Sequence, residues 1–408
     1  MTQLEKYAKL LIYSGVNVQE NQTLVISAPV QLHEFVNKAT RFAYEKGARE
    51  VVVRWGDEKT RRMYFEYAND EVFDEANEWV INFTNHYADI DACFLFVSAS
   101  DPELMKGIDQ TRISRQSKAY AKDTKEAHMK RMNNRNSWCI ASMPTKPWAR
   151  KVFPDLSDED ALEALWQAIL SATRANEEDP VKAWEEHQKN LDSKLRFLND
   201  TKFKAFKYKN SIGTDVTVGM PENQLWFGGA DLHIPKGYKF IANIPTEEVY
   251  SAPHRDHVNG KIVSSYPLNR NGVLITDFWL EFKDGLIIDF GAGENYDTLK
   301  ELIENDYGSN RLGEIALVPY DSPISNQNIL FYNTLFDENA SCHFAIGSSY
   351  PICIQGGEDM SDEELNAQGG NTSDTHVDFM VGTSDLEIIG ITKENLEIPI
   401  FQNGNFVI

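Results

Sequence analysis

The sequence has little of several features that would identify whole classes of protein. Four cysteines are scattered over 408 residues, and none of them lies in CxxC spacing. This usage argues against a disulfide framework and fits a reducing compartment. Basic residues are also scarce, with 40 Lys+Arg against 62 Asp+Glu and a formal net charge of −22. The charge balance argues against a protein that binds a nucleic-acid backbone or an anionic membrane through a basic surface.

Long hydrophobic runs are missing as well. No stretch approaches the roughly 18 apolar residues that a membrane-spanning helix requires. The opening segment MTQLEKYAKLLIYSG has no uncharged apolar core and no small-residue cleavage site, so it predicts no signal peptide. We therefore expect a cytoplasmic protein. Its 42% apolar residues are enough to bury sizeable cores, which argues against general disorder.

The first half of the chain alternates between strand and helix signals. Buried strands are predicted at Thr23–Pro29, Ile90–Ser100 and Ser137–Pro144, and a further strand, rich in β-branched residues, at Glu50–Trp55. Helices are predicted over Asp70–Phe83, Asp109–Met132 and residues 157–198, and the pattern of the last weakens around Asp179-Pro180 before it resumes. Strands that are apolar throughout favour a parallel sheet covered on both faces. Because the loop after the first strand lacks both GxGxxG and a phosphate-loop lysine, a scaffold is favoured over a nucleotide site. The prediction is a doubly wound parallel-sheet α/β domain over residues 1–195.

The second half has a different character. Glycines become frequent and alternating segments such as GVLITDFWLEF and GLIIDFGAG appear. Between these two segments, Asp284 and Gly285 can supply the positive φ angles of a tight primed turn, which predicts a hairpin. One helix is predicted at Tyr296–Asn305. Residues 196–408 are therefore predicted to form a β-rich α+β domain.

One candidate metal site lies in the segment Thr-His-Val-Asp-Phe, where His376 and Asp378 are two residues apart. On an extended segment this spacing points both side chains to the same face. An imidazole and a carboxylate side by side can bind one divalent ion. A single His–Asp hydrogen bond on a surface strand is the alternative.

Other polar residues stand beside apolar runs. They are Glu247 and Glu248 in a Pro-bounded loop, Glu314 at a buried strand, and Glu338 and His343 before an apolar segment. A bound cation would explain them, although edge carboxylates that reach water and a satisfied, partly buried histidine would do so too.

A competing metal pair is formed by His254 and His257, which have HxxH spacing in a polar loop. This is not the HExxH helix of a zinc protease, so we interpret both as solvated loop residues.

Taken together, these fragments resemble one family, the aminopeptidase T, aminopeptidase S and PepS group of dinuclear metallopeptidases. The order and spacing of the matching tracts are also similar to those of the family. The tracts are Pro245–Pro253, Gly313–Ala316, Asn333–Gly347, Tyr350-Pro351 and Thr375–Phe379.

The resemblance implies a set of site residues. The implied metal ligands are Glu248, Glu314, His343, His376 and Asp378, with Glu338 as a further ligand. Glu314 would bridge two ions, and two divalent ions close together do need a bridging carboxylate to screen their repulsion. Tyr350 would be a catalytic residue that hydrogen-bonds the reacting carbonyl or the tetrahedral intermediate. The doubled Glu247-Glu248 leaves the register open, and Glu248 is chosen because it directly precedes Val249.

The resulting functional prediction is a metal-dependent aminopeptidase, a hydrolase that acts on peptides with a free N-terminus. The resemblance implies two divalent ions per subunit (Zn²⁺, Co²⁺, Mn²⁺ or Mg²⁺) and a homodimer that partly encloses the active site. One alternative is a carboxylate-ligated metal phosphoesterase, for which Arg255, Lys261 and Arg311 would be the nearby phosphate-holding candidates. The other is a binding protein stabilised by a structural ion, without turnover. Neither nucleic acid nor membrane is expected as a partner.

Overall fold

A computed structural model describes residues 1–99, 101–270 and 273–408, so Ser100, Asn271 and Gly272 lie outside the described part. The helices are α1 (Gln3–Leu10), α2 (His33–Glu45), α3 (Glu58–Tyr67), α4 (Glu78–Asp89), α5 (Gln110–Met132), α6 (Lys146–Val152), α7 (Asp158–Ala172), α8 (Pro180–Thr201), α9 (Tyr296–Ile303), α10 (Thr334–Asp337) and α11 (Asp362–Ala367). Within the described ranges, no helix is both long and apolar enough to cross a lipid bilayer.

The strands fall mostly in the second half of the chain. They are β1 (Thr23–Pro29), β2 (Glu50–Gly56), β3 (Cys93–Ser98), β4 (Trp138–Ser142), β5 (Ala205–Lys209), β6 (Asp215–Gly219), β7 (Asp231–Leu232), β8 (Lys239–Phe240), β9 (Val249–Ser251), β10 (Val258–Val263), β11 (Leu268–Arg270), β12 (Val273–Ile275), β13 (Trp279–Lys283), β14 (Leu286–Gly291), β15 (Leu312–Leu317), β16 (His343–Gly347), β17 (His376–Met380), β18 (Glu387–Ile391), β19 (Glu397–Gln402) and β20 (Asn405–Phe406).

The chain divides into two compact units. The first comprises Met1–Glu186 and Ala230–Pro245, and the second comprises His187–Gly229 and Thr246–Ile408. The chain therefore changes unit inside α8 and returns once to the first unit. The two-domain division at residue 195 stays a prediction, and a single boundary does not describe the return over residues 230–245.

The first unit contains a parallel four-stranded sheet in the order β2–β1–β3–β4. Its central strand β1 is covered on both faces, because Leu24 is buried on one face and Val25 on the other. Strand β2, at the edge of the sheet, has no buried residue. The strand predicted over Ile90–Ser100 is shorter, Cys93–Ser98, and its last predicted residue lies outside the described part.

One helix prediction in this unit is wrong. The segment Asp70–Phe83 contains a 3-10 turn over Asp70–Asp74, and α4 begins only at Glu78. The chain is extended at Glu75, with φ −116° and ψ 140°. Phe73 stacks on Phe65 with ring centroids 5.7 Å apart, so a tertiary contact overrides the helical spacing.

The second unit contains two antiparallel sheets of four or more strands. One has eight strands in the order β14–β13–β10–β6–β5–β18–β19–β20, and the other has four in the order β17–β16–β15–β9. Apolar side chains of both sheets share one core, in which Tyr208 and Phe344 approach to 5.1 Å between ring centroids. The predicted hairpin is confirmed, since Asp284 and Gly285 have φ angles of 49° and 79° between β13 and β14. The predicted fold class, a parallel-sheet α/β part followed by a β-rich part, is confirmed.

Candidate metal centre

The four-stranded sheet of the second unit carries four of the predicted site residues on one face. Ala345 in β16 is paired with Glu314 in β15 and with Asp378 in β17, so these three side chains form a row across the sheet. His343 and His376 each lie two residues along a strand from a member of this row and share its face. The small Ala345 side chain leaves room above the sheet for the four larger groups.

A β-bulge at Gly313 gives Glu314 its orientation. Leu312 pairs with Ile346 and Glu314 pairs with Ala345, so Gly313 is an extra residue in β15. Leu312 and Ile346 point into the apolar core, whereas Glu314 points to the opposite face although it is only two residues further on. The bulge therefore reverses the alternation of the strand and removes a carboxylate from the core.

Substituting Gly313→Ala tests this role of the bulge. A Cβ at this position would lie 2.3 Å from the backbone oxygens of Gly347 and Ser348, so the strands must shift. We expect the unfolding free energy to fall by about 1–3 kcal/mol. The predicted aminopeptidase activity should also be lost, because Glu314 would be displaced. Urea unfolding provides the measurement. Gly56→Ala, which meets no atom within 4 Å, is the control and should change neither property. Native-like activity and stability of Gly313→Ala would contradict the assignment.

The polar atoms of the cluster converge closely. Nε2 of His343 lies 3.2 Å from Oε2 of Glu248 and 3.9 Å from Oε1 of Glu314. Nε2 of His376 lies 3.1 Å from Oε2 of Glu314 and 3.3 Å from Oδ1 of Asp378. Two triads of potential ligands result, Glu248–Glu314–His343 and Glu314–His376–Asp378, each with its ligand atoms within 4.8 Å of one another. Glu314 belongs to both triads.

Backbone carbonyls fix the orientation of both imidazoles. Nδ1 of His343 lies 3.1 Å from the carbonyl oxygen of Ser341, and Nδ1 of His376 lies 2.7 Å from that of Ser348. A hydrogen bond donated by Nδ1 leaves Nε2, which faces the carboxylates, as the ring nitrogen that can bind a metal ion once it has lost its proton. This is the arrangement in which histidine binds a metal ion.

The electrostatics of the cluster favour a bound cation. Burial, together with the charges of Asp378 and Glu248, raises the pKa of Glu314 above its usual range. Burial alone would lower the pKa of His343, but hydrogen bonding to Glu248 and the surrounding carboxylates raise it to about 10. The pKa of His376 rises to about 11 against the same effect of burial, through Asp378 and Glu314. The site concentrates negative charge in a buried place, which a divalent ion would neutralise.

Of the two adjacent glutamates, the structure brings Glu248 into the cluster. The Glu247 side chain is buried elsewhere, with Oε2 3.6 Å from Nε2 of His187. The two carboxylates therefore contact different histidines, and it is Glu248 that faces His343.

Two further predicted residues lie at the margin of the cluster. Burial and the charges of Asp378 and Glu248 raise the pKa of Glu338, although Glu338 belongs to neither triad. The ring of Tyr350 lies 4.9 Å from that of His376 and 5.7 Å from that of Tyr250. Burial and the nearby carboxylates raise the pKa of Tyr350 far above its usual value, so its hydroxyl remains a hydrogen-bond donor.

The histidines rejected as ligands lie away from this cluster. The rings of His254 and His257 stack 3.7 Å apart beside a surface cavity of about 420 Å³, with His257 exposed. Neither belongs to the metal-ligand groups found within the described residues.

Sequence reasoning did not identify Asn339, Tyr250 or the two carbonyls that orient the imidazoles. Asn339 is fully buried directly after Glu338, and its side chain hydrogen-bonds to the backbone of Glu247. A buried amide next to a predicted ligand is a signal that could have singled it out, whereas a backbone carbonyl leaves no trace in the sequence.

Imidazoles and carboxylates converging on one face of a sheet, next to a protonated tyrosine, are characteristic of a metal-dependent hydrolase. The chain belongs to the thermophilic metalloprotease (M29) family, whose model matches residues 1–406.

Relatives that are named as aminopeptidases and a solved structure agree with this assignment. Aminopeptidase AmpS of Bacillus subtilis (strain 168) is 45% identical over 99% of this chain and 98% of its own length. Aminopeptidase 2 of Geobacillus stearothermophilus is 43% identical over 99% of this chain and 97% of its own. The structure of wild-type AmpT from Thermus thermophilus superposes with a TM-score of 0.92 at 35% identity, covering 100% of this chain and 99% of that one. The predicted resemblance and the class of metallo-aminopeptidase are confirmed.

Proposed function

We propose that the cluster is a dinuclear metal centre with which the protein hydrolyses the N-terminal peptide bond of peptides. The ligands are Glu248, Glu314, His343, His376 and Asp378, with Glu338 as a further ligand. The observation that carries the proposal is the position of Glu314. Its Oε1 faces His343 and its Oε2 faces His376, so a single carboxylate is shared by two groups of donors.

The chemistry of the donors fits divalent cations. Imidazole nitrogen with several carboxylate oxygens suits Zn²⁺, Co²⁺ and Mn²⁺, and a carboxylate-rich set also admits Mg²⁺. Bound ions would supply Lewis acidity toward the peptide carbonyl and would lower the pKa of a water molecule. A negatively charged cluster also attracts the cationic α-amine that distinguishes a peptide N-terminus.

Within this proposal, Tyr350 acts on the developing oxyanion. Its hydroxyl is neutral, and its ring is fixed between His376 and Tyr250. A preorganised neutral donor stabilises negative charge that grows on the carbonyl oxygen and requires no reorganisation during the reaction.

Metal removal and readdition test the proposed function. We expect treatment with a chelator to reduce hydrolysis of an aminoacyl-arylamide to background, because the carboxylates and imidazoles alone do not supply the Lewis acid. Adding back Zn²⁺, Co²⁺, Mn²⁺ or Mg²⁺ separately should restore activity and identify the productive ion. An N-acetylated substrate is the control and should not be cleaved, because it lacks the free α-amine. Full activity of the metal-free protein would contradict the proposal.

The phosphoesterase alternative receives no support from the basic residues that it requires. Nη1 of Arg311 lies 2.6 Å from Oδ1 of Asp256 and 2.7 Å from the carbonyl oxygen of Arg255. The Arg255 guanidinium lies over the Tyr307 ring, and Nζ of Lys261 lies 4.0 Å from the Trp279 ring centroid. These contacts engage all three basic side chains in interactions other than phosphate binding.

Three further features belong to the proposal. They are zinc or cobalt as the working metal, a cytoplasmic location, and a homodimer that partly encloses the active site. Zinc or cobalt is consistent with the donor chemistry. A cytoplasmic location is consistent with the scattered buried thiols, which are all free.

A further inference from the structure

Glu248 lies just outside the sheet that carries Glu314, His343, His376 and Asp378. Strand β9 begins at Val249, which pairs with Leu317 of β15, so Glu248 lies one residue before the first ladder pair. Its backbone must be held by other contacts if the carboxylate is to stay 3.2 Å from His343.

Those contacts are made to the two preceding residues. Nε2 of His187 lies 2.8 Å from the carbonyl oxygen of Thr246. On the other side, Oδ1 of Asn339 accepts a hydrogen bond from the backbone N–H of Glu247 at 2.8 Å. With Glu247 fixed in this way, the next residue, Glu248, is held with its carboxylate beside His343.

The same amide of Asn339 also contacts the segment that carries Glu338. Its Nδ2 donates to the carbonyl oxygen of Leu335 at 3.1 Å and lies 3.5 Å from Oε1 of Glu338. Asn339 is fully buried, so water does not compete for these bonds. One side chain thus connects two chain segments that are distant in sequence and that each contribute a carboxylate to the cluster.

We propose that Asn339 is a positioning residue of the metal centre, whose amide sets the location of Glu248 relative to Glu338. This inference rests on the proposed function, in which both glutamates are ligands. Residues that orient metal ligands typically change metal affinity by about 10- to 100-fold when they are replaced. Asn339 is not expected to touch metal or substrate.

The test compares Asn339→Leu with Asn136→Leu. Asn136 is a matched control, because it is also buried and donates its amide to two backbone carbonyls, those of Ala88 and Ala92. Both variants should lose stability in urea unfolding, since each leaves buried backbone groups unpaired. Only Asn339→Leu should weaken Zn²⁺ binding, by about 10- to 100-fold in competition with a chromophoric chelator. Asn339→Ser, which is smaller and polar, provides the same measurement if the leucine variant does not fold.

The possible outcomes separate this inference from the proposed function. If the folded Asn339 variants bind Zn²⁺ within about twofold of the native affinity, well below the change expected for an orienting residue, Asn339 has a structural role only. If Asn136→Leu loses as much affinity, the effect is one of general stability and the inference is wrong. If the native protein itself binds no divalent ion, the proposed function fails first.

Discussion

Replacing Glu314 with Gln is expected to reduce peptidase activity by at least about 10³-fold. The substitution keeps the shape of the side chain but removes the charge that both donor groups share. Metal ions contribute several kcal/mol to such reactions, and each ~1.4 kcal/mol corresponds to a factor of ten in rate. The measurement combines aminoacyl-arylamide hydrolysis with the metal content per subunit, which should fall below that of the native protein.

The control for this prediction is Glu301→Gln, which removes an exposed carboxylate from α9 of the same unit. It should leave both the rate and the metal content unchanged. A Glu314→Gln protein that keeps more than a few per cent of the activity with its metal still bound would refute the dinuclear proposal, since a shared carboxylate would then be dispensable.

Tyr350→Phe is expected to lower kcat by about 10²- to 10³-fold, the range measured when one oxyanion donor is removed from other enzymes. The phenyl ring can retain the contacts with His376 and Tyr250, so the fold and the metal content should be preserved. The hydroxyl acts on charge that exists only in the transition state. KM should therefore change little. Steady-state kinetics at saturating metal concentration provide the measurement.

Tyr307→Phe is the matched control, because Tyr307 is 79% exposed on the surface of the same unit and should be replaceable without effect. Unchanged kcat for Tyr350→Phe would remove the tyrosine from the mechanism. It would also be the result expected of a binding protein with a structural ion, the non-enzymatic alternative.

Part of the site could be predicted from local patterns. The spacing of His376 and Asp378 on an extended segment implies a shared face, and the register of β17 against β16 confirms that both lie on the face of Ala345. Strand β1 has the predicted bounds Thr23–Pro29, and α5 ends at the predicted Met132. These successes depend on side-chain period and on turn chemistry, which act over a few residues.

Other features depend on contacts between distant segments and were not predictable in the same way. The interruption of the helix predicted over Asp70–Phe83 follows from the stacking of Phe73 on Phe65. The bulge at Gly313 is visible only from the register of β15 against β16. The choice between Glu247 and Glu248 depends on the contacts of Glu247 with His187 and Asn339.

The sequence by itself determined which classes of partner are unfavourable for this protein and which residue types are available for its site. Its acid excess and lack of long apolar runs argue against nucleic acid and membranes as partners, and its motifs resemble those of the metallo-aminopeptidase family. Tertiary structure alone decided which carboxylates meet, because Glu248, Glu314 and Asp378 come from three different strand regions. Their convergence on two imidazoles requires the strand register and the Gly313 bulge, and the Asn339 amide connects the segments that carry Glu248 and Glu338. Local sequence does not encode these long-range pairings in a form that can be read residue by residue.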